Sequence, residues 1–513
     1  MGELYDYVVV GGGTAGCILA ARLSEDPAVS VCLIEAGPSD EHEERAGAIR
    51  RWAEMLEGEY DRDYRSVPQE RGNSAIRQAR LRILGGCSTA NTMITWRPLR
   101  GDVEEWAEMG VEGWDYDTLS SAYDRIVGPI TPVAPADRNP DVADAVEAAA
   151  TALGLPRRET WNDAEFTEGA GFFEIGYDPD TNLRSSTSRA YLHGVDRPNL
   201  TLLLETVADR VVIDEGRAVG VLVGDRLIRA RRDVVVSCGA IDSPALLMRS
   251  GIGPAAVLNA AGIAVIVDLP GVGENLQDHA EGLIVWETRG PRSGVCATGW
   301  DAGFVYRVDV DSTVPDVSTH LPVESWTVHA ENHGAAIPAH NVSFAPNVAK
   351  PRSRGRVWIT SSDPEAAPLI DYRAFTDPGG RDERMLVEGV RRARRVAEQE
   401  PFAAHLVREV FPGPHVQSDE ELSEILRATH QTVYHVSCTC RMGAADDPDA
   451  VVDSALRVRG VEGLRVVDAS VLPTVTALNP VGTIMAIAER AVDLLRATPS
   501  GAVEVGRASD REA

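Results

Sequence analysis

Residues 8–23 read VVVGGGTAGCILAARL and residues 31–37 read VCLIEAG. The first stretch passes from three β-branched residues through glycines into apolar positions at helical spacing. The second is a short apolar run closed by Glu35. Together they spell strand, tight turn, helix, strand: a β-α-β unit in which Gly11, Gly13 and Gly16 form G-x-G-x-x-G. Glycines at these places permit the turn and let backbone N–H groups approach a pyrophosphate at the positive end of the helix. Glu35, about twenty residues on, can accept hydrogen bonds from ribose hydroxyls. A glycine turn that binds nothing is the alternative, and the completeness of the unit argues against it. The motif alone does not separate FAD from NAD.

The chain has 513 residues of 44% hydrophobic composition, enough for a large core and for two domains. Asp and Glu total 78 against 50 Lys and Arg, a formal charge of -28 that repels nucleic acid and anionic membrane surfaces and weakly favours a cationic ligand. No apolar run reaches the roughly 18–20 residues that cross a bilayer. The first strand begins at Tyr5, which leaves no room for a signal peptide. Seven scattered cysteines, at positions 17, 32, 87, 238, 296, 438 and 440, suit reduced thiols and a cytoplasmic location rather than a disulfide framework. Cys438 and Cys440 form only a C-x-C near His435, so no metal is expected.

Further along, GRVWITSS (355–362) and NVSFAPNVA (341–349) read as strands of a sheet with one solvated face, and RDERMLVEGVRRARRVAEQ (381–399) as an amphipathic helix. Near the end, GLRVVDASVLP (463–473) returns to a buried strand, and Val481-Gly482-Thr483 leads into a helix for which Asn479 and Pro480 read as N-cap and first residue. The expected architecture is α/β, α+β overall: a Rossmann-type cofactor domain and a second domain on a mainly antiparallel sheet with helices.

Two other stretches have an unusual composition for a core. RILGGCSTANTM (82–93) pairs glycines with small polar residues that allow close approach to a flat ring, and GAIDSPALLMRSGIGP (239–254) sets Gly, Ser and Pro around a short helical run. With the β-α-β unit they resemble the two signature regions of the glucose-methanol-choline oxidoreductases. The resemblance continues through GVGENLQDH (271–279), YHVSCTCRMG (434–443) and VVDASVLPTVTALNPVGT (466–483), in order over nearly the whole chain. Within the family the likeness is strongest to its choline-oxidising members.

The resemblance implies FAD as cofactor, with contacts from Gly11, Gly13, Thr14, Ala15, Gly16, Glu35 and Ala36 of the first unit. Gly85, Gly86, Ser88 and Asn91 would add theirs from the second stretch, and Val207, Asp468, Ala469, Pro480 and Val481 from elsewhere. It implies a discontinuous FAD domain, 1–150, 191–280 and 433–500, a substrate domain of 151–190 and 281–432, and a tail at 501–513. His435 falls where the family carries its catalytic histidine and Asn479 where it carries a second His or Asn. An imidazole suits removal of a hydroxyl proton as hydride leaves the same carbon, and an amide can hydrogen-bond that oxygen without competing for the proton. Choline oxidases attach their flavin through a histidine of the GGCS loop; the corresponding Ala90 cannot, so non-covalent FAD is implied. Glu281 corresponds to a carboxylate that faces the trimethylammonium group, Trp300 and Tyr434 to aromatic lining, and Thr92 joins them as a substrate contact. An aromatic expected within Tyr60-Asp61-Arg62-Asp63-Tyr64 is replaced by Arg62.

The reading is thus an FAD-dependent oxidation of a small-molecule alcohol, primary and amine-bearing, to the aldehyde, with oxygen or another acceptor taking the electrons. Two alternatives stand beside it: a flavin-containing lyase resembling hydroxynitrile lyases, and an NAD-dependent dehydrogenase. Whether Glu281 faces substrate, faces solvent or is neutralised by Arg62 or another cation stays open, as does the oligomeric state, a homodimer included.

Overall fold

The structure is a computed structural model that describes residues 3–72, 76–162 and 166–497; the tail expected at 501–513 lies outside the described residues. Strand β1 (Leu4–Val10) is buried over its last five residues, helix α1 (Thr14–Leu23) follows after the glycines, and β2 (Val31–Ile34) is wholly buried. β1 lies between β2 and strand Arg226–Val236, parallel to both, and Leu200–Leu203 and Leu464–Val466 extend the parallel sheet at either end. Strands Arg217–Val223 and Arg210–Asp214 add antiparallel pairings to the same seven-stranded sheet. The unbroken Val/Ile/Leu runs are those of strands covered on both faces, here partly by α1 and the C-terminal helix Val481–Ala497, which pack together.

The larger, nine-stranded sheet is built from Leu406–Phe411, Ile284–Thr288, Asn341–Val348, Val317–His320, Ala302–Tyr306 and Gly169–Phe172, all antiparallel. A parallel edge strand, Arg157–Arg158, and the short strands Ala280–Glu281 and Gln431–Thr432 complete it. Helices Arg381–Ala397 and Pro140–Leu153 pack on it. Asn341–Val348 is buried at all but its first residue, not half-solvated as its alternation suggests: helix Arg381–Ala397 packs on the apolar face, at Pro346, and the polar face turns inward, where Ser343 accepts from Trp326 N and Asn347 Nδ2 lies 3.4 Å from His320 Nδ1. Gly355–Trp358 keeps the alternation but pairs in a separate three-stranded sheet with Glu274–Leu276 and Leu369–Asp371. No described helix is long and apolar enough to cross a membrane.

Candidate active site

One cavity runs between the two sheets, from β1 and α1 at one end to Glu281 and His320 at the other. At its first end the chain leaves β1 through Gly11, whose φ of +98° suits glycine and where a Cβ would lie 2.5 Å from the Ser237 carbonyl oxygen. Gly13 is the N-cap of α1, and no side chain caps that helix. Gly13, Thr14 and Ala15 line the cavity, so uncapped first-turn N–H groups and the positive helix end are presented to it. A Cβ on Gly13 would meet nothing nearer than 3.9 Å, so the glycine leaves room rather than relieving a clash. Those features fit a bound pyrophosphate.

Glu35, Ala36, Gly86, Asn91, Val207, Asp468, Ala469, Pro480 and Val481 line the same cavity. Gly16, Gly85 and Ser88 do not: they stand behind the wall and shape it. A Cβ on Gly16 would overlap the Gly11 carbonyl at 1.9 Å, Gly85 turns at φ +91°, and Ser88 is spent on the Gly85 carbonyl at 2.6 Å. Glu35 also differs from the simple ribose acceptor expected of it. Its two oxygens already accept from Gly12 N (2.7 Å) and Gly37 N (2.8 Å), and burial raises its pKa to about 7 against these hydrogen bonds. Ribose hydroxyls would share its remaining lone pairs.

His435 and Asn479 meet across the cavity, with Asn479 Nδ2 3.2 Å from His435 Nε2. Tyr434, at φ +64°, makes the turn that turns His435 inward, and its N–H is held by Thr432 Oγ1 at 2.7 Å; a bulky residue in this region marks a constrained site. The backbone N–H of His435 donates to Asp278 (2.9 Å), its Nδ1 lies 2.9 Å from Nδ1 of His279, and His279 Nε2 lies 2.9 Å from the Thr476 carbonyl oxygen. At the other end Trp96 Nε1 donates to Asn479 Oδ1 at 2.9 Å. The Asn479 side chain is therefore committed to His435 and Trp96 and does not cap the final helix, as its sequence position suggested. Burial, reinforced by His279, His320 and Arg80, holds the pKa of His435 well below 6.5, so the imidazole is neutral.

At the substrate end, strand pairing sets Glu281 beside Gln431 and Asn347. Glu281 is 3% exposed; Oε1 accepts from Gln431 Nε2 at 2.9 Å and Oε2 lies 3.5 Å from His320 Nδ1. Gln431 is itself oriented by Trp326, whose Nε1 donates to Gln431 Oε1 at 2.7 Å. Burial raises the carboxyl pKa, opposed by His320 and Gln431. Among the described residues no Arg or Lys forms an ion pair with Glu281. Arg62 lines the cavity but pairs with Glu365 (3.3 Å) and hydrogen-bonds Tyr64, so it does not neutralise Glu281, and Glu281 does not face solvent. Trp300, Tyr434, Thr92 and Ala90 line the cavity. Trp52, on a short 3-10 helix (Ile49–Met55), also lines the cavity, its ring centroid 6.4 Å from that of Trp326. Trp52, Trp326, His320, Gln431 and His279 were not singled out in the sequence; they sit in irregular segments or short strands where no periodicity marks them.

The cleft at the positive end of α1 thus opens into the same cavity as the buried His435–Asn479 pair. The chain belongs to the GMC oxidoreductase family: models of that family match residues 5–281 and 351–488. It is 42% identical to choline oxidase of Arthrobacter globiformis, with 97% of this chain and 95% of that protein covered. It is 34% identical to oxygen-dependent choline dehydrogenase 1 of Chromohalobacter salexigens, covering 96% and 95%. Among solved structures, pyridoxine 4-oxidase from Mesorbium loti matches with a TM-score of 0.88 at 31% identity over 95% of this chain and 98% of that one. An FAD-dependent oxidoreductase from Chaetomium thermophilum shares the fold at a TM-score of 0.85 and 24% identity, covering 96% and 99%. The protein is an FAD-dependent enzyme of this family acting on CH–OH donors.

Proposed function

We propose that the protein oxidises a small primary alcohol bearing an amino or ammonium group to its aldehyde, with His435 taking the hydroxyl proton. The observation that carries the reading is Glu281: a buried carboxylate without an Arg or Lys partner, sharing its cavity with Trp52, Trp300, Trp326 and Tyr434 and with the base His435. A buried carboxylate held, among the described residues, only by the Gln431 amide and by His320 at 3.5 Å is costly, and a cation amid aromatic faces is the ligand that offsets the cost. The choline-oxidising relatives make the same substrate class the natural one to test.

FAD would be held by the helix end at Gly13, Thr14 and Ala15, by Glu35, and by Asp468 to Val481 along the far wall; when bound it supplies the hydride acceptor. His435 offers the lone pair of Nε2 to the substrate hydroxyl, and Asn479 Nδ2–H, 3.2 Å from that atom, can donate to the same oxygen. Ala90 in the cavity wall has no nucleophile, so we read the flavin as non-covalent. Oxygen or another acceptor would reoxidise it. We assign 1–150, 191–280 and 433–500 to the FAD unit and 151–190 with 281–432 to the substrate unit. Anaerobic flavin reduction over matched cationic and neutral alcohols tests the function. Equal rates and equal half-saturation for both classes would overturn the substrate assignment.

A further inference from the structure

We propose that His279 is a positioning residue that fixes the tautomer of His435, so that Nε2 of His435 presents a lone pair to the substrate; the inference rests on His435 being the base. The chain of contacts runs Thr476 carbonyl, His279, His435, Asn479, Trp96, at 2.9, 2.9, 3.2 and 2.9 Å. Its two ends have one polarity each: a carbonyl oxygen only accepts and an indole N–H only donates. At the first end, His279 Nε2 must therefore carry a hydrogen. His279 is buried, which lowers its pKa to about 3, so it is neutral and its Nδ1 has only a lone pair. The 2.9 Å contact then requires the hydrogen on Nδ1 of His435, which leaves Nε2 of His435 bare. From the other end, Trp96 holds Asn479 Oδ1, which turns Nδ2–H toward His435 and again requires a lone pair on Nε2. Two independent anchors give the same tautomer.

The Thr476 anchor is itself braced. Lys350 is the only lysine in the sequence. Its ammonium is surrounded by Asp102 Oδ1 (3.0 Å), Glu105 Oε2 (2.6 Å), Thr474 Oγ1 (3.2 Å) and the Val475 carbonyl (2.8 Å), while Asp102 accepts from Ala477 N at 3.0 Å. The segment on either side of Thr476 is thereby pinned to helix Arg100–Glu108, and the positive charge of Lys350 further disfavours protonation of His279.

Two substitutions separate this role from simple anchoring. In His279→Asn the side-chain oxygen can occupy the place of Nδ1 and still accept from His435, but the contact to Thr476 is lost. In His279→Gln the amide nitrogen can occupy the place of Nε2 and still donate to Thr476, but His435 Nδ1–H loses its acceptor. We expect anaerobic flavin reduction in the FAD-loaded enzyme to stay within about fivefold of wild type for the Asn variant. The Gln variant should slow by at least about 10-fold, since a wrong tautomer costs a histidine-dependent enzyme as much as about 10⁴. The reverse order, or equal loss in both, overturns the proposal in favour of an anchor alone. A second readout needs neither variant nor turnover: ¹⁵N spectra of histidine-labelled wild-type holoenzyme, with His435 assigned by difference against His435→Gln. These should show Nδ1 protonated and Nε2 bare; the opposite tautomer overturns the proposal. If instead His435→Ala reduces its flavin at the wild-type rate, the base assignment fails, a result distinct from either of these.

Discussion

Glu281→Gln removes one charge and almost no volume, and the site can accept the amide. Its oxygen can keep the 2.9 Å bond from Gln431 Nε2, and its nitrogen would face His320 Nδ1, already 3.5 Å away. What is lost is the field on the cation. A substrate ammonium about 4.5 Å from the carboxylate, at an effective dielectric of about 20, is attracted by about 3.7 kcal/mol. Desolvating the cation cancels part of this, so a net loss of about 1.4 to 2.8 kcal/mol is expected, or 10- to 100-fold in binding. A neutral alcohol of similar size should change by less than about twofold, or improve slightly, because a buried carboxylate no longer has to be solvated. The assay is stopped-flow flavin reduction without oxygen, which gives half-saturation and limiting rate separately for each substrate. A fall in limiting rate with unchanged half-saturation for cations, or equal effects on both substrate classes, would refute the reasoning and remove Glu281 from cation recognition.

Acid precipitation of the yellow holoenzyme should leave all of the FAD in the supernatant; flavin in the washed pellet would show an attachment that Ala90 does not explain. His435→Ala should slow flavin reduction by about 100-fold or more with FAD still bound, and Asn479→Ala by less, as the rate constants under saturating substrate will show. Trp52→Ala or Trp326→Ala should weaken cationic substrates by about 1 kcal/mol, about fivefold, and neutral ones by less, measured as half-saturation in the same assay. Glu281 has a pKa raised above its usual 4.5 and His435 one lowered below its usual 6.5. As pH falls, half-saturation for cations should therefore rise as Glu281 takes a proton, while the limiting rate with neutral alcohols persists below pH 6.5; a rate lost at or above pH 6.5 would contradict the low pKa of His435.

How much of this was legible in the sequence follows from how local each signal is. β1, α1 and β2 were readable because unbroken apolar runs and a period-3.6 pattern meet at glycines, of which Gly11 and Gly16 have a steric reason within a few residues or beside the adjacent strand. Asn341–Val348 was readable as a strand but not as a buried one, since its polar face meets Trp326 and His320 rather than water, tertiary contacts that no local pattern records. Asn479 was misread as a helix cap because capping is a local rule and its side chain obeys a tertiary one, set by Trp96 and His435. Trp52, on a single short 3-10 helix, and Trp326, in a loop, left no mark, neither segment having a periodicity to betray which surface it faces. His279 stood in a quoted motif without a role, and its role lies in a chain drawn from positions 96, 279, 435, 476 and 479, no two of its directly bonded members closer than 44 residues apart except by way of the backbone between Thr476 and Asn479. The donor and acceptor sense of that chain is fixed by its two ends, so replacing Trp96 by Phe should free the Asn479 amide to rotate and, through it, weaken the preference at His435, although neither residue nor its neighbours in sequence would change.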